Sequence, residues 1–253
     1  MPWKAISWSS RTSPNSGPGT ATSSFPCPSG AMSSPNTSAR SPQYWCVSGD
    51  YVERRRQGLD EVFHLEEQEE FEDYVYLAED LARLKGNRYV RKRNLIHQFE
   101  REFGGNGSRS RVEPITRDSV PECLAFLEAW CEQRDCDVDE DIDLACERRA
   151  VITSLENFEA LELSGILVRL DNAVSAFGIA SRLTGDTGIL NYEKAFSDVK
   201  GLYQFLDNEC AKRLFAGFRY INKESDMSLP NLARMKRSYH PVLRVKSYKL
   251  TLR

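Results

Sequence analysis

The chain has 253 residues, of which 40% are hydrophobic and 28% are charged, a composition that is ordinary for a globular protein with a buried core. Its formal net charge of −3 argues against general coating of DNA, because a polyanion would need a local basic patch. No apolar run is long enough to cross a bilayer, and no apolar segment follows the first lysine, so we expect a cytoplasmic protein without a transmembrane segment.

Neither the cysteines nor the acidic residues predict a metal site. The seven cysteines are an odd number and form no C-x-x-C pair, which fits neither a disulfide framework nor structural zinc. Asp137, Asp139 and Asp141 alternate like calcium ligands, but Ile142 and Arg148 stand where a calcium-binding loop needs Gly and Glu. We therefore expect these acids to lie in a loop and in the first turn of a helix.

Residues 1–48 differ in composition from the rest of the chain. The first 45 residues hold twelve Ser and seven of the eleven Pro, with three basic and no acidic residues. Such density of proline blocks helices, and the lack of apolar spacing leaves the ordering entropy without compensation. We expect a disordered low-complexity segment. It is a Ser/Pro-rich tail, a targeting peptide, or the non-native product of a shifted reading frame.

Globular periodicity begins near residue 49. A short strand at 74–77 is followed by a helix with leucines at 77, 81 and 84, which stops at Gly86. A second helix carries Ile96, Phe99 and Phe103 on one face and ends at Gly104–Gly105. Its start bears Arg91, Lys92 and Arg93. These three side chains are either a solvated basic face or a contact for phosphate.

The following elements alternate between helical and strand periodicity. A strand near 112–115 precedes a helix whose start, Ser119 to Glu122, has the pattern of a capping box. After a helix at about 143–161, the period changes to two. The expected elements are then strands at 165–171, 173–183 and 187–194, a helix at 199–215, a strand at 218–223, a helix at 229–238 and a strand at 242–251. This order predicts an α/β (α+β) fold with a mixed, mainly antiparallel central sheet flanked by helices.

Polar residues concentrate on two of these strands. On the strand 187–194, Tyr192 and Lys194 face one side while Asn191 and Glu193 face the other. On the strand 218–223 and the residues after it, a row of Asn222, Glu224 and Asp226 shares one face. Such a row is hard to bury without partners, so it lies in solvent or in a polar cleft.

The last predicted helix and its exit add basic groups. Lys236 and Arg237 lie on the helix, and Tyr239 and His240 follow it. Lys236 could stabilise an ester oxyanion or bind a phosphate. His240 is either a general base or a residue at the start of the last strand, held extended by the proline that follows it.

Several segments resemble one known family. They are "LENFEALELSGI" (155–166), "YVRKRNLIHQFERE" (89–102), "VRLDNAVSAFGIA" (168–180), "NYEKAFSDVKGLYQFLDNE" (191–209) and "YINKESDMSLPNLARMKRSYHPV" (220–242). The sequence is similar to the family built around the C-terminal domain of bacterial phosphatidylglycerol lysyltransferases, over about residues 70–250. That resemblance implies an acetyltransferase-like fold. It also implies two acetyltransferase-like halves, with residues 49–107 as the remnant of the first half plus basic helices, and residues 108–253 as the second.

The resemblance also implies a chemistry. It suggests an acyltransferase that moves an aminoacyl group from the acceptor end of a charged tRNA, or an acyl group from coenzyme A, to a small-molecule or lipid acceptor. It assigns catalysis to Glu193, Asp226 and His240. It assigns substrate binding to Tyr192, Lys194, Asn222, Glu224, Lys236 and Tyr239, and contacts with nucleic acid to Arg91, Lys92, Arg93 and Arg237.

Two alternatives stay open. One is a non-catalytic binding module derived from such an enzyme. The other is an N-acetyltransferase that uses acetyl coenzyme A, which the sequence supports weakly because Gly201 is the single glycine where a phosphate-binding loop would lie.

Overall fold

The computed structural model describes residues 41–104, 109–133 and 142–253, without side chains for 142–146. The expected disorder of residues 1–40, the acids at 137–141 and the helix end at Gly105 therefore lie outside the described residues. No helix in these ranges is both long and apolar enough to cross a membrane.

The described ranges contain strands and helices in the following order. The strands are β1 (Gln43–Ser48), β2 (Phe63–Glu67), β3 (Asp73–Leu77), β4 (Ser110–Pro114), β5 (Ser164–Leu170), β6 (Ala173–Arg182), β7 (Thr187–Ala195), β8 (Tyr220–Asn222), β9 (Leu243–Val245) and β10 (Ser247–Leu252). The helices are α1 (Gly49–Val62), α2 (Ala78–Arg83), α3 (Val90–Phe103), α4 (Val120–Gln133), α5 (Ile142–Glu156), α6 (Leu202–Arg213) and α7 (Pro230–Arg237).

The predicted fold class is confirmed, since the strands pair mainly antiparallel and helices flank them. The three consecutive strands form the expected hairpins, β5 with β6 and β6 with β7. By sequence they were expected at 165–171, 173–183 and 187–194, within one residue of the observed bounds. Alternating burial is a reliable signal here because these strands lie in the hydrophobic core.

Three features differ from the sequence-based expectations. Residues 43–48, which were expected to lack structure, form β1, and a helix and a second strand follow at α1 and β2. The expected last strand is two strands, because β9 pairs with β3 while β10 pairs with β1 and β2. His240 is not extended: its φ is +56°, and its N–H donates to the carbonyl of Arg237, so it closes the last turn of α7.

The first of two compact units consists of the described residues 41–75 and 222–253. Its three-stranded antiparallel sheet has the order β1-β10-β2. Val52 of α1, Tyr248 and Leu250 form a small buried core beneath this sheet. In the same unit Tyr74 of β3 is bonded through its backbone to residues 223 and 224, and β3 pairs with β9.

The second unit consists of residues 76–221 within the described ranges. Its antiparallel strands follow the order β4-β5-β6-β7. The main core packs α4 and α5 on one face of these strands, with Phe126, Leu155, Phe177 and Ile179 buried. On the other face α6 packs on β6 and β7, and α2 and α3 pack on α6.

Gly201 fixes the approach of α6 to α3. Its φ is +85°, a left-handed conformation that glycine adopts without steric cost. A Cβ atom at this position would clash with the backbone carbonyl of Leu95 on α3. This glycine is therefore required by helix packing, which explains its presence without a phosphate-binding role.

We predict that Gly201→Ala lowers the free energy of unfolding by about 2–4 kcal/mol, because it adds a backbone clash to a left-handed strain of about 1–2 kcal/mol. Gly217→Ala is the matched control, since φ there is +89° and no atom lies within 4 Å of the added Cβ. The control should cost only the strain. Urea unfolding of both variants measures the difference, and equal losses would contradict the packing role.

Candidate functional site

The centre of the candidate site in the first unit is the ammonium group of Lys236. This group donates hydrogen bonds to the carbonyl oxygens of Lys223 at 2.5 Å, Glu224 at 3.1 Å and Ser225 at 2.5 Å. Three donors therefore meet three consecutive backbone acceptors. The side chain is 7% exposed, so these contacts lie away from bulk water. The helix α7 is thereby tied to the segment that follows β8.

The turn between β8 and α7 has an unusual backbone. Glu224, Met227 and Ser228 have φ values of +58°, +47° and +56°, which residues with a side chain rarely adopt. Asp226 stabilises the turn, because its Oδ1 accepts from the Ser228 N–H at 3.0 Å and its carbonyl accepts from the Leu229 N–H at 2.8 Å. Ser228 does not cap the helix, contrary to the sequence-based alternative. Leu229 holds that position without a side-chain cap, ahead of Pro230.

The other oxygen of Asp226 accepts a short hydrogen bond from the hydroxyl group of Tyr74. Burial raises the pKa of Tyr74, and the hydrogen bond to Asp226 raises it further. The guanidinium of Arg244 stacks on the Tyr74 ring with 3.9 Å to the centroid and pairs with Glu72 at 3.0 Å. The Tyr74 hydroxyl is thus held as a neutral hydrogen-bond donor to the carboxylate.

Asp73 provides a second carboxylate in the same unit. Its Oδ2 accepts from the amide nitrogen of Asn222 at 2.8 Å, and the Asn222 oxygen in turn accepts from the Glu224 N–H at 2.7 Å. Burial raises the pKa of Asp73, although the hydrogen bond from Asn222 and the charges of Lys236 and Arg244 oppose that rise. A carboxyl group whose pKa is raised in this way is a better general base near neutral pH than an exposed one.

Burial also changes the titration of Lys236. Desolvation lowers its pKa to about 8, against the attraction of Glu224, and Lys223 lowers it further by repulsion. We call the residues Asp73, Tyr74, Asn222, Glu224, Asp226 and Lys236 the polar cluster. It combines a carboxyl group of raised pKa, a carboxylate bound by a phenol, and a buried ammonium, which are the kinds of groups that acid–base and ester chemistry require.

The structure places the sequence-predicted residues of the first unit differently from one another. Asn222, Asp226 and Lys236 are buried and Glu224 is half-buried, so the polar row does not point into bulk water. Tyr239 is buried, with the ammonium of Lys223 5.2 Å from its ring centroid.

Two of these predicted residues, Arg237 and His240, are exposed. Arg237 makes a hydrogen bond with the Tyr74 hydroxyl, which lowers the pKa of Tyr74. The structure therefore brings Arg237, but not His240, to the polar cluster.

In the second unit, two predicted residues of β7 contact α4 and α5. The Tyr192 hydroxyl lies 3.4 Å from that of Ser154, and the Tyr192 ring belongs to the main core. Lys194 is buried, forms a 2.7 Å ion pair with Glu147 and places its ammonium 4.3 Å from the Trp130 ring centroid. The expected alternative of a Glu193–Lys194 pair is not what is observed. Each of these residues has a packing role, and their substrate-binding role stays a prediction.

The basic start of α3 is only partly available to an anion. Arg91 is exposed and Lys92 is half-buried. Arg93 donates to the carbonyl oxygens of Leu84 and, at 2.8 Å, Gly86. Its guanidinium therefore caps the end of the preceding helix, and a phosphate contact by this side chain would have to replace those bonds.

Three residues of the site were missed in the sequence: Asp73, Tyr74 and Arg244. The signal that could have found Asp73 is a carboxylate directly before the apolar run of β3, where burial demands a partner. Arg244 lies next to that strand through the pairing of Tyr74 with Arg244.

Comparisons with known proteins agree on one family. The family model described as "Phosphatidylglycerol lysyltransferase, C-terminal" matches residues 37–251. A conserved protein from Bacteroides thetaiotaomicron, of unknown function, is 32% identical, with a TM-score of 0.77 over 84% of this chain and 70% of that chain. No curated protein matches the sequence.

Two further solved structures share the fold. The C-terminal domain assigned to a lysylphosphatidylglycerol synthetase of Agrobacterium fabrum is 13% identical, with a TM-score of 0.58. L-PGS from Bacillus licheniformis is 11% identical, with a TM-score of 0.56. Each comparison covers 83% of this chain and 67% of the other chain. The family match begins at residue 37, inside the segment whose composition suggested a non-native origin.

We predict that Lys236→Met lowers the free energy of unfolding by about 2–4 kcal/mol, since it leaves three backbone carbonyls without their charged donor. Arg234→Met on the same helix is the control, because Arg234 is exposed and donates only to Asn231. Chemical unfolding of both variants gives the comparison. A Lys236 variant as stable as the control would contradict the organising role of the ammonium.

We predict that Asp73→Asn stabilises the protein at pH 7 and that the gain shrinks as the pH falls. The folded-state pKa of Asp73 lies above that of the unfolded chain, so folding takes up a proton between the two values. Wild-type stability from this group is therefore greatest near or below pH 4, roughly the unfolded pKa, and is lost as the pH rises through the folded pKa. The asparagine keeps an acceptor for Asn222.

Unfolding free energies of wild type and variant between about pH 4 and pH 7.5 test this linkage. Asp60→Asn serves as the control, because Asp60 is exposed and pairs only within α1 with Arg56. A difference between wild type and Asp73→Asn that does not change with pH would contradict the raised pKa.

Proposed function

This chain belongs to the phosphatidylglycerol lysyltransferase C-terminal family, a transferase family, and from that premise we propose that it transfers an aminoacyl group from a charged tRNA to an acceptor. The acyltransferase-like character follows from the family. The tRNA donor, the acceptor and a cytoplasmic location are the further steps of the proposal. The acceptor is a small molecule or a lipid that presents a hydroxyl or amine group.

The observation that carries this proposal is the polar cluster of the first unit. Burying carboxyl groups, a phenol and an ammonium together costs free energy that a purely structural turn would not need. Three left-handed residues that are not glycine lie within this turn, and such strain tends to persist at functional sites. The combination favours a site that handles protons and a developing charge.

The proposed reaction is acyl transfer with Asp73 as general base. The carboxylate takes the proton of the acceptor's hydroxyl or ammonium-derived amine as that atom forms a bond to the ester carbonyl carbon. The bond from the carbonyl carbon to the terminal ribose oxygen of the tRNA then breaks, and the ribose oxygen receives the proton. Asn222 orients Asp73 through the 2.8 Å hydrogen bond. Lys236 fixes the turn 223–225 that surrounds the reacting groups.

The remaining residues have proposed supporting roles. Asp226 and Tyr74 hold the turn before α7, and Glu224 lines it. Tyr239 packs behind Lys223, and His240 is available as a second acid–base group on the surface. Within the second unit, Glu193 is proposed to bind the donor, with Tyr192 and Lys194 behind it. Arg91, Lys92 and Arg237 are proposed to contact the tRNA backbone, whereas Arg93 would first have to release its carbonyl partners.

A second candidate, a non-catalytic binding module, is favoured by one specific observation. Both oxygens of Asp226 and the ammonium of Lys236 are already engaged inside the protein. A site in this state could bind a donor without turning it over. An enzyme that uses acetyl coenzyme A is less favoured, because Gly201 serves helix packing.

Single-turnover transfer tests the proposal. The full chain is mixed with total tRNA charged with radiolabelled amino acids, and with either phosphatidylglycerol vesicles or a mixture of water-soluble amines. We predict label in the lipid or amine fraction, and a loss of at least 100-fold in the rate for Asp73→Asn, the scale of general-base catalysis. Arg234→Gln, exposed on α7, should retain the wild-type rate.

Each outcome separates the candidates. Transfer that Asp73→Asn leaves unchanged would remove Asp73 as the base and keep the transferase. Binding of charged tRNA without any transfer would replace the proposal with the binding module. Stabilisation by acetyl coenzyme A, together with no loss of label from tRNA, would favour acetyl transfer instead.

A further inference from the structure

A bulge interrupts β7 in the second unit. Along the pairing of β6 with β7, Ile179 is opposite Tyr192 and Ala180 is opposite Leu190. Asn191 is therefore the extra residue on β7, without a partner across the strands. A bulge of this kind redirects side chains, and bulges are frequent beside functional sites.

The bulge places Asn191 on the same face as Glu193. Gly178 is opposite Glu193, and a Cβ atom at Gly178 would clash with the thiol of Cys210 on α6. Since paired residues share a face, Glu193 lies on the α6 side. Tyr192 belongs to the core on the opposite side with α4 and α5. Alternation from Tyr192 puts Asn191 with Glu193.

Asn191 carries a buried acceptor that the fold does not use. The side chain is 9% exposed, and its Oδ1 has no hydrogen-bond donor among the described residues. A buried amide oxygen without a donor is costly, and an apolar side chain of the same size would avoid that cost. Packing therefore does not explain why an asparagine stands here, whereas an absent donor would.

We propose that Asn191 Oδ1 and the Glu193 carboxylate form a binding site for a primary ammonium group, which is the α-amino group of the acyl donor. This identity of the amine rests on the proposed function. A primary ammonium brings three N–H donors, enough for an amide oxygen and a carboxylate at once, and its charge matches Glu193. An acyl group without an amine, such as acetyl, offers neither the donors nor the charge. The pair therefore selects aminoacyl over simple acyl donors.

Binding of amino acid amides tests this site without any transfer step. The probes are L-alaninamide and L-lysinamide, each compared with its N-acetyl derivative, in titrations of the full chain followed by NMR. We expect the free amides to bind and the N-acetyl forms to bind at least 10-fold more weakly. Asn191→Leu, which has nearly the same shape without the acceptor, should weaken binding of the free amides at least 10-fold.

A stability readout separates a binding role from a structural one. Asn191→Leu should move the urea midpoint upwards, because it removes an acceptor that lacks a donor. The matched control is Asn208→Leu on α6, since the Asn208 amide donates to the carbonyls of Leu81 at 2.7 Å and Ala82 at 2.9 Å. That variant should lower the midpoint and leave the affinity for the amides unchanged wherever it remains folded.

Three results would overturn the site. They are equal binding of free and N-acetylated amides, unchanged binding by Asn191→Leu, and a lower urea midpoint for Asn191→Leu, which would mean that the amide or a trapped water serves the fold. Failure of transfer from charged tRNA with intact, Asn191-dependent amide binding would instead sink the proposed function and leave this site standing.

Discussion

One buried ammonium group organises the polar part of the first unit. The carbonyl groups of residues 223–225 point to Lys236 Nζ instead of to another strand, so they need this donor to be satisfied away from water. Lys236 lies on α7, and thus the helix and the turn before it are positioned by the same contact. The orientations of Glu224 and Asp226 follow from that turn. A neutral side chain could fill the same volume, but it could not satisfy three acceptors.

The polar cluster is built at a cost in stability. Burial raises the pKa of Asp73 and lowers that of Lys236, so each charged form is disfavoured by its surroundings. The hydrogen bonds from Asn222 and Tyr74, and the stacking of Arg244 on Tyr74, offset part of that cost. A site that holds titratable groups near neutral pH, at the expense of folding free energy, is what acid–base chemistry on an ester requires.

The sequence predicted the parts of the fold whose signal is local. Strands β5 to β7 and helix α4 have regular apolar spacing, and their position was found within a few residues. The strand β1 and helix α1 were missed, because β1 lies in Ser- and Pro-rich sequence and α1 buries only Gly49 and Val52. Their stability comes from pairing with β10 and packing under it, which no short window of sequence contains.

The same limit applies to the site. The density of polar residues at 222–226 and 236 drew attention to one side of the cluster. Asp73 and Tyr74 were missed because their partners, Asn222 and Asp226, lie 149 and 152 residues away in the chain. The left-handed turn and the bulge at Asn191 were also invisible, since both depend on tertiary contacts that override local preference.

The most direct test of this account is NMR observation of the lysine ammonium groups in protein labelled with ¹⁵N at Nζ. The account predicts one Lys Nζ–H₃⁺ signal with slow solvent exchange at pH 6, coupled through hydrogen bonds to the carbonyl carbons of residues 223–225 and absent in a variant without Lys236. Rapid exchange of every lysine signal, or a protected signal without those couplings, would contradict it.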